Sequence, residues 1–177
     1  INSDIINADG MSIVWAARLL GHEIKERVAG IDLMDNLVGL AHKLNYKCFF
    51  LGAKEQVVKK IVNHYSEKYS NKVIAGFRNG YFKNDQEKMI IDQIIKSQAN
   101  LLFVAMTSPK KEIFLNKYKA ELKSINLIMG VGGSFDVISG EIKRAPEFMQ
   151  KVGLEWFYRF IQEPRRMWRR YLIGNIK

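Results

Sequence analysis

Four short apolar runs, at residues 47–51, 73–75, 101–105 and 127–129, recur along the chain, and segments of helical character stand between them. That alternation constrains the fold more than any other feature. Strands separated by helices must run parallel, because each return to the same edge of the sheet uses a helical crossover. The runs are nearly continuous in apolar residues rather than alternating, as expected of strands covered by helices on both faces. The expected class is therefore α/β: a Rossmann-like, mostly parallel sheet flanked by helices.

The helical segments carry matching signals. Val57, Ile61 and Tyr65 mark one face of a helix after Gly52, and Met89, Ile90, Ile94 and Ile95 mark another. Asn84 with Glu87 three residues on reads as a capping box, and Ser108 before Pro109 reads as an N-cap followed by proline in the first helical position. Each such helix starts just beyond the C-terminal end of a strand, the edge at which open α/β sheets bind ligands.

With 177 residues and 47% hydrophobic content, the chain has enough material for one well-packed core. No apolar run approaches the roughly 20 residues of a membrane-spanning helix. The segment beginning at Ile1 has neither the basic nor the long apolar region of a signal peptide, and the natural start is expected upstream of it. The single cysteine, Cys48, lies within CFFLG, where a small buried hydrophobe is expected rather than a reactive thiolate. His22, His42 and His64 lack metal-ligand spacing, so no metal is expected. The net charge of +10, from 28 Lys and Arg against 18 Asp and Glu, points to an anionic partner. Much of the excess falls near the end of the chain, where the composition turns aromatic and basic after Ala145. The expected organisation is a core of residues 1–145 and a helical, basic C-terminal appendage of residues 146–177.

Several positions carry candidate chemistry. Asp9 and Gly10 precede an apolar helix, where Asp9 can serve as a helix cap, as a base accepting a proton from a hydroxyl, or as both. Arg27 precedes the small residues Val28, Ala29 and Gly30, and projecting from such a connection its guanidinium can grip a phosphate in two-pronged fashion. Gly130, Gly132 and Gly133 follow an apolar run and precede a turn or helix near Ser134. Glycines there permit either a tight turn or close approach of backbone N–H groups to a diphosphate. Their spacing is neither the dinucleotide fingerprint nor the P-loop. Arg159, Arg166 and Arg169 are spaced for one helix face, with Pro164 breaking the helix between the first and the others. A basic, aromatic surface of this kind suits either solvent or anionic lipid headgroups.

In this order, NADGMSIVWAARLLG, ERVAGIDLM, FFLGA, GYF, SPKKE, GVGGSFDVISGEIKRAP and GLEWFYRFIQEPRR resemble the WecG/TagA/CpsF glycosyltransferases over essentially the whole chain. The resemblance implies an inverting transfer of N-acetylmannosamine, or a related amino sugar, from a UDP-sugar donor to N-acetylglucosamine on undecaprenyl diphosphate. It implies no cofactor and no obligatory metal. The product feeds teichoic acid or other surface polysaccharide, and the enzyme is expected in the cytoplasm, peripherally on the inner face of the plasma membrane.

The resemblance also assigns residues. Asp9 falls on the general base and Arg27 on an active-site arginine. Arg159, Arg166 and Arg169 fall on appendage arginines that stabilise a diphosphate. Gly52, Lys111, Gly132, Gly133 and Ser134 are the remaining candidate substrate contacts. Two departures stand out. The family's Thr-Pro-Asn-Ala-Glu segment is expected upstream of Ile1, and Lys111 replaces a glutamine near the donor, which bears on sugar preference or phosphate binding. The non-enzyme alternative is a basic nucleic-acid-binding module, suggested by charge alone; a nicotinamide oxidoreductase is disfavoured by the glycine spacing. The preferred reading has a UDP-sugar, a lipid-linked acceptor and a membrane surface as partners, and no nucleic acid.

Overall fold

The computed structural model describes residues 3–24 and 27–164, and Arg166 and Arg169 lie outside them. The chain divides into two compact units, one formed by Gly30–Glu141 and the other by Ile1–Ala29 together with Ile142–Lys177. The first contains the sheet. Its elements run α2 (Gly30–Lys43), β1 (Cys48–Gly52), α3 (Glu55–Lys68), β2 (Ile74–Arg78), α4 (Glu87–Lys96), β3 (Leu101–Ala105), α5 (Lys110–Lys117), β4 (Leu127–Gly130) and α6 (Ser134–Ile138), while α1 (Met11–Leu19) belongs to the second unit.

All the pairings are parallel, in the order β2-β1-β3-β4. The α/β class read from the apolar runs is the class observed. The chain leaves β1 towards β2 on one side, then crosses back to β3 on the other. Right-handed crossovers, the rule for parallel strands, then require α3 on one face and both α4 and α5 on the opposite face.

The packing follows that requirement. Cys48, Phe50, Leu101 and Phe103 point to the face covered by α2, α3 and α6, and Phe49, Leu51, Leu102 and Val104 to the face covered by α4 and α5. The strict alternation of faces within two fully buried strands explains why every position of β1 and β3 is apolar or glycine. Phe50 anchors the first face, with ring centroids 5.7 Å from Tyr65, 5.6 Å from Phe103 and 6.1 Å from Phe135. Burying one such ring is worth roughly 1.5–3 kcal/mol.

Cys48 is fully buried on that face, and burial pushes its thiol up to about 12 from an ordinary 9.0. The folded protein is therefore expected to resist a thiol-reactive disulfide reagent at pH 8, with stoichiometric labelling appearing only in denaturant. Rapid labelling of the native protein would contradict this. Because the folded thiol stays protonated while the unfolded one ionises near 9.0, this group's contribution to stability is complete below pH 9 and declines above it.

Helix starts differ from the sequence expectations by one or two residues. Asn84 opens a short 3₁₀ turn, Asn84–Gln86, in which the Gln86 side chain accepts from the Lys83 N–H at 3.0 Å, and α4 begins at Glu87. Pro109, not Ser108, occupies the N-cap of α5, with Lys110 as the first helical residue. On α4 the buried face is Glu87, Ile90, Ile91 and Ile94, while Met89 is 45% exposed. Glu87 tolerates burial because it accepts from Lys117 Nζ at 2.7 Å and from the Tyr118 hydroxyl at 3.2 Å.

The second unit holds α1 (Met11–Leu19), α7 (Glu147–Lys151) and α8 (Glu155–Gln162). The Val28 N–H donates to the Ala8 carbonyl at 3.0 Å and Asn7 Nδ2 to the Val28 carbonyl at 3.1 Å, tying the entry to α1 to the segment after Arg27. Gly153, between α7 and α8, has a φ of +76°, and a Cβ there would lie 2.8 Å from Met11 Cβ. Only glycine lets this turn sit against α1.

Candidate functional site

The reversal of direction between β1 and β3 makes a topological switch point, where the connections leave the sheet on opposite sides and open a crevice at the strands' C-terminal ends. A cleft of about 520 Å³ lies there, lined by Ala53, Ala105, Met106 and Thr107 at the ends of β1 and β3, by Gly80, Tyr81, Phe82, Lys83 and Gln86 beyond β2, and by Lys110 from α5.

Its floor is knitted by backbone. The Ala53 N–H donates to the Ala105 carbonyl at 2.9 Å, and the Gly80 N–H to the Ala53 carbonyl at 2.9 Å. Such closeness requires missing side chains: a Cβ at Gly52, where φ is +132°, would lie 2.3 Å from the Ala105 oxygen. Ala53 itself has a φ of +53°, a sparsely populated conformation for a residue with a side chain and one that concentrates at ligand sites. Gly52 thus shapes the site through the backbone.

The walls are mixed in character. Tyr81 is 72% exposed and its N–H donates to Asn79 Oδ1, whose amide in turn bonds Glu55 at 2.7 Å. The Asn79 hydrogen bond, with Lys59 second, holds the Glu55 carboxyl below its ordinary range. Lys110 Nζ lies 3.4 Å from both the Gly80 and Phe82 carbonyls and 4.5 Å from the centre of the Phe82 ring, so it pins the loop after β2 to the start of α5. Lys83 adds a second cation to the rim.

The candidates named from sequence divide between the two units. In the sheet unit, Gly52 does not itself line the cleft but precedes Ala53, which does, and Lys111 lies across the end of β4, where a Cβ on Gly130 would be 2.9 Å from Lys111 Nζ. That ammonium also pairs with Glu112 at 3.2 Å. Lys111 is thereby brought beside the glycine loop, whereas its neighbour Lys110 lines the cleft. The loop makes a turn at Gly132 and Gly133. Gly132 has a φ of +49°, Gly133 sits at the N-cap of α6, and the N–H of the buried Ser134 is engaged by the Val131 carbonyl at 3.0 Å.

Asp9, Arg27 and Arg159 belong to the other unit. Asp9 is exposed and does not take the capping position of α1; Gly10 occupies it, with an extended backbone open to any residue. Arg27 is engaged within its own unit. One terminal nitrogen pairs with Glu155 and the other reaches the Gln150 carbonyl. Arg159 lies in the last turn of α8. Around it Trp156, Phe157 and Ile161 are exposed, as are Phe148 and Val152. Among the described residues no three His, Cys, Asp or Glu side chains gather as a cation site, and no helix is long and apolar enough to cross a membrane.

Tyr81, Lys83, Gln86, Thr107 and Lys110 were not singled out by sequence. GYF and SPKKE flagged the right stretches, but only the strand order brings them to one crevice.

A doubly wound parallel sheet with a cleft at its switch point defines a class of α/β proteins that bind ligands at the strand ends. The chain matches the Glycosyl transferase WecG/TagA/CpsF family over residues 1–177, and it belongs to that family. It is 39% identical over 171 residues to an N-acetylglucosaminyldiphosphoundecaprenol N-acetyl-beta-D-mannosaminyltransferase of Bacillus subtilis (strain 168), and 37% identical over 171 residues to the protein of the same name from Bacillus spizizenii. Each match covers 97% of this chain and 65% of the relative, so the chain spans just under two thirds of their length.

Proposed function

We propose that this chain is the greater part of an inverting glycosyltransferase that moves N-acetylmannosamine, or a related amino sugar, from a UDP-sugar to N-acetylglucosamine on a polyprenyl diphosphate, in the synthesis of a cell-surface polysaccharide or teichoic acid. The observation that carries this reading is end-to-end membership of a glycosyltransferase family, in a chain whose sheet opens a cleft at its switch point. The two relatives named for this transfer support the donor sugar and the acceptor.

In the proposed reaction the Asp9 carboxylate takes the proton of the acceptor hydroxyl as its oxygen bonds to C1 of the donor sugar. The bond from C1 to the diphosphate oxygen breaks, and UDP departs with the electron pair. An in-line displacement of this kind inverts C1. The leaving diphosphate needs positive charge, and the proposal assigns that role to appendage arginines, with no obligatory metal. The cleft is the proposed seat of the donor nucleotide, with Tyr81 as a face on which a base stacks and Lys83 as a cation at the rim. The apolar residues exposed on α7 and α8 suit peripheral contact with the membrane that holds the acceptor.

The test uses the full-length protein with UDP-N-acetylmannosamine and a lipid-linked N-acetylglucosaminyl diphosphate. UDP release coupled to disaccharide-lipid formation is expected, and no product across several UDP-amino sugars would overturn the reading. Tyr81→Ala, which removes an exposed side chain, is expected to weaken UDP binding about tenfold by calorimetry without moving the melting temperature, since stacking a base on an aromatic is worth roughly 1–3 kcal/mol. Unchanged affinity would place the base elsewhere.

A further inference from the structure

Helix α8 is amphipathic in an inverted sense. Helical spacing puts Glu155, Tyr158, Arg159 and Gln162 on one side and Trp156, Phe157, Phe160 and Ile161 on the other. Most of the apolar side is exposed, whereas the polar side is fastened at both ends. At the first turn Glu155 pairs with Arg27, whose other terminal nitrogen lies 3.4 Å from the Gln150 carbonyl in α7. At the last turn the Gln162 amide bonds the backbone of Lys143 twice, at 3.0 and 2.9 Å. Arg159 stands between the two anchors, one turn beyond Glu155.

The Arg27–Glu155 pair joins residues 128 apart in sequence, and its side chains are only 14% and 19% exposed. Partners so shielded from water hold each other more firmly than surface ions, and neutralising one leaves the other poorly compensated. Arg27 is also continuous with the segment that carries Asp9, because its neighbour Val28 is hydrogen-bonded to Ala8 and Asn7. A connected path therefore runs from α8 through Glu155 and Arg27 to the residue beside Asp9.

The geometry points to Glu155 as a positioning residue: by fastening the first turn of α8 to Arg27, it sets where Arg159 stands relative to the Asp9 segment. The catalytic half of this inference rests on the proposed reading of Arg159 as a diphosphate-binding arginine. Glu155 touches no substrate in this account; it acts through Arg27 and the helix. Glutamine in its place keeps the shape but offers Arg27 a neutral acceptor, so α8 loosens while its packing stays.

The experiment compares full-length wild type, Glu155→Gln, Arg159→Ala and the double variant. Glu155→Gln is expected to cut lipid-acceptor transfer about tenfold or more, the scale of a small misplacement of a catalytic group, and Arg159→Ala to cut it further. The double variant should be no slower than Arg159→Ala alone, because both changes remove one function. Amide hydrogen exchange over residues 155–162 should quicken in Glu155→Gln, a readout independent of sugar transfer. If wild type transfers no sugar, the functional reading falls while exchange still decides whether the clamp exists. Unchanged exchange, multiplying losses in the double variant, or tighter substrate binding by Glu155→Gln would each overturn the inference, the last by showing that the carboxylate competes with substrate phosphates.

Discussion

Asp9→Asn in the full-length protein is expected to lower the turnover of sugar transfer by roughly 10²–10⁴-fold, the contribution typical of a positioned general base. The change is nearly isosteric and removes the negative charge of the side chain together with its basicity. Asp9 is exposed and Gly10, not Asp9, takes the N-cap of α1. The melting temperature is expected to fall by no more than a few degrees, since asparagine keeps the shape of the side chain and one acceptor oxygen. Because the base acts on the acceptor hydroxyl during bond formation, kcat should fall while KM for the donor changes little. Near-normal turnover would remove Asp9 as the base; loss of turnover together with a large fall in melting temperature would show a structural role instead.

The fold was legible wherever burial on both faces of a strand left no freedom in the sequence. The run at 101–105 is the observed β3, and the run at 47–51 lies one residue before the observed β1, since five consecutive buried positions admit only apolar residues or glycine. The run at 73–75 captured only the start of β2, whose edge position leaves its residues half-exposed and its pattern polar towards Arg78. Helix starts were legible to within two residues. A serine or asparagine near a helix start announces the start, but which residue turns into the helix depends on the approach of the backbone, as Pro109 and Asn84 show.

The candidate site was legible in part for a different reason. Gly52 stood out within FFLGA, and the structure explains it by contact with β3. Tyr81, Lys83 and Lys110 meet only because β2 and β3 flank β1, an order that no local pattern encodes. Lys111 drew notice as a departure from the family pattern, yet the first position of α5 turns Lys110 into the cleft and lays Lys111 over Gly130. The Arg27–Glu155 pair escaped notice because neither residue is unusual in its own segment.

Gly52→Ala is expected to be among the most damaging small substitutions in the sheet, and Gly132→Ala supplies the comparison that says why. Both glycines have positive φ, +132° and +49°, so both substitutions carry a conformational cost, about 1 kcal/mol at a left-handed turn such as Gly132. At Gly132 the added methyl meets nothing within 4 Å. At Gly52 it meets the Ala105 oxygen at 2.3 Å, the carbonyl carbon at 2.5 Å and Cα at 2.8 Å, all backbone atoms of the neighbouring strand. No rotamer change relieves that contact, so β1 and β3 must separate at their C-terminal ends. Strain at a glycine-favouring conformation and overpacking each cost roughly 1–3 kcal/mol, which together amount to about 3 kcal/mol or more. A loss of that size should lower the melting temperature by roughly 10 °C in a protein of this length. Separation of the strands would also break the Ala53 to Ala105 hydrogen bond that floors the cleft. UDP binding should therefore fall in Gly52→Ala at temperatures where the protein is still folded, and stay intact in Gly132→Ala. Urea unfolding and calorimetric titration of the two variants check both parts. Equal stability losses at the two glycines would show that β3 yields to the methyl group and that the close approach is not what Gly52 is for.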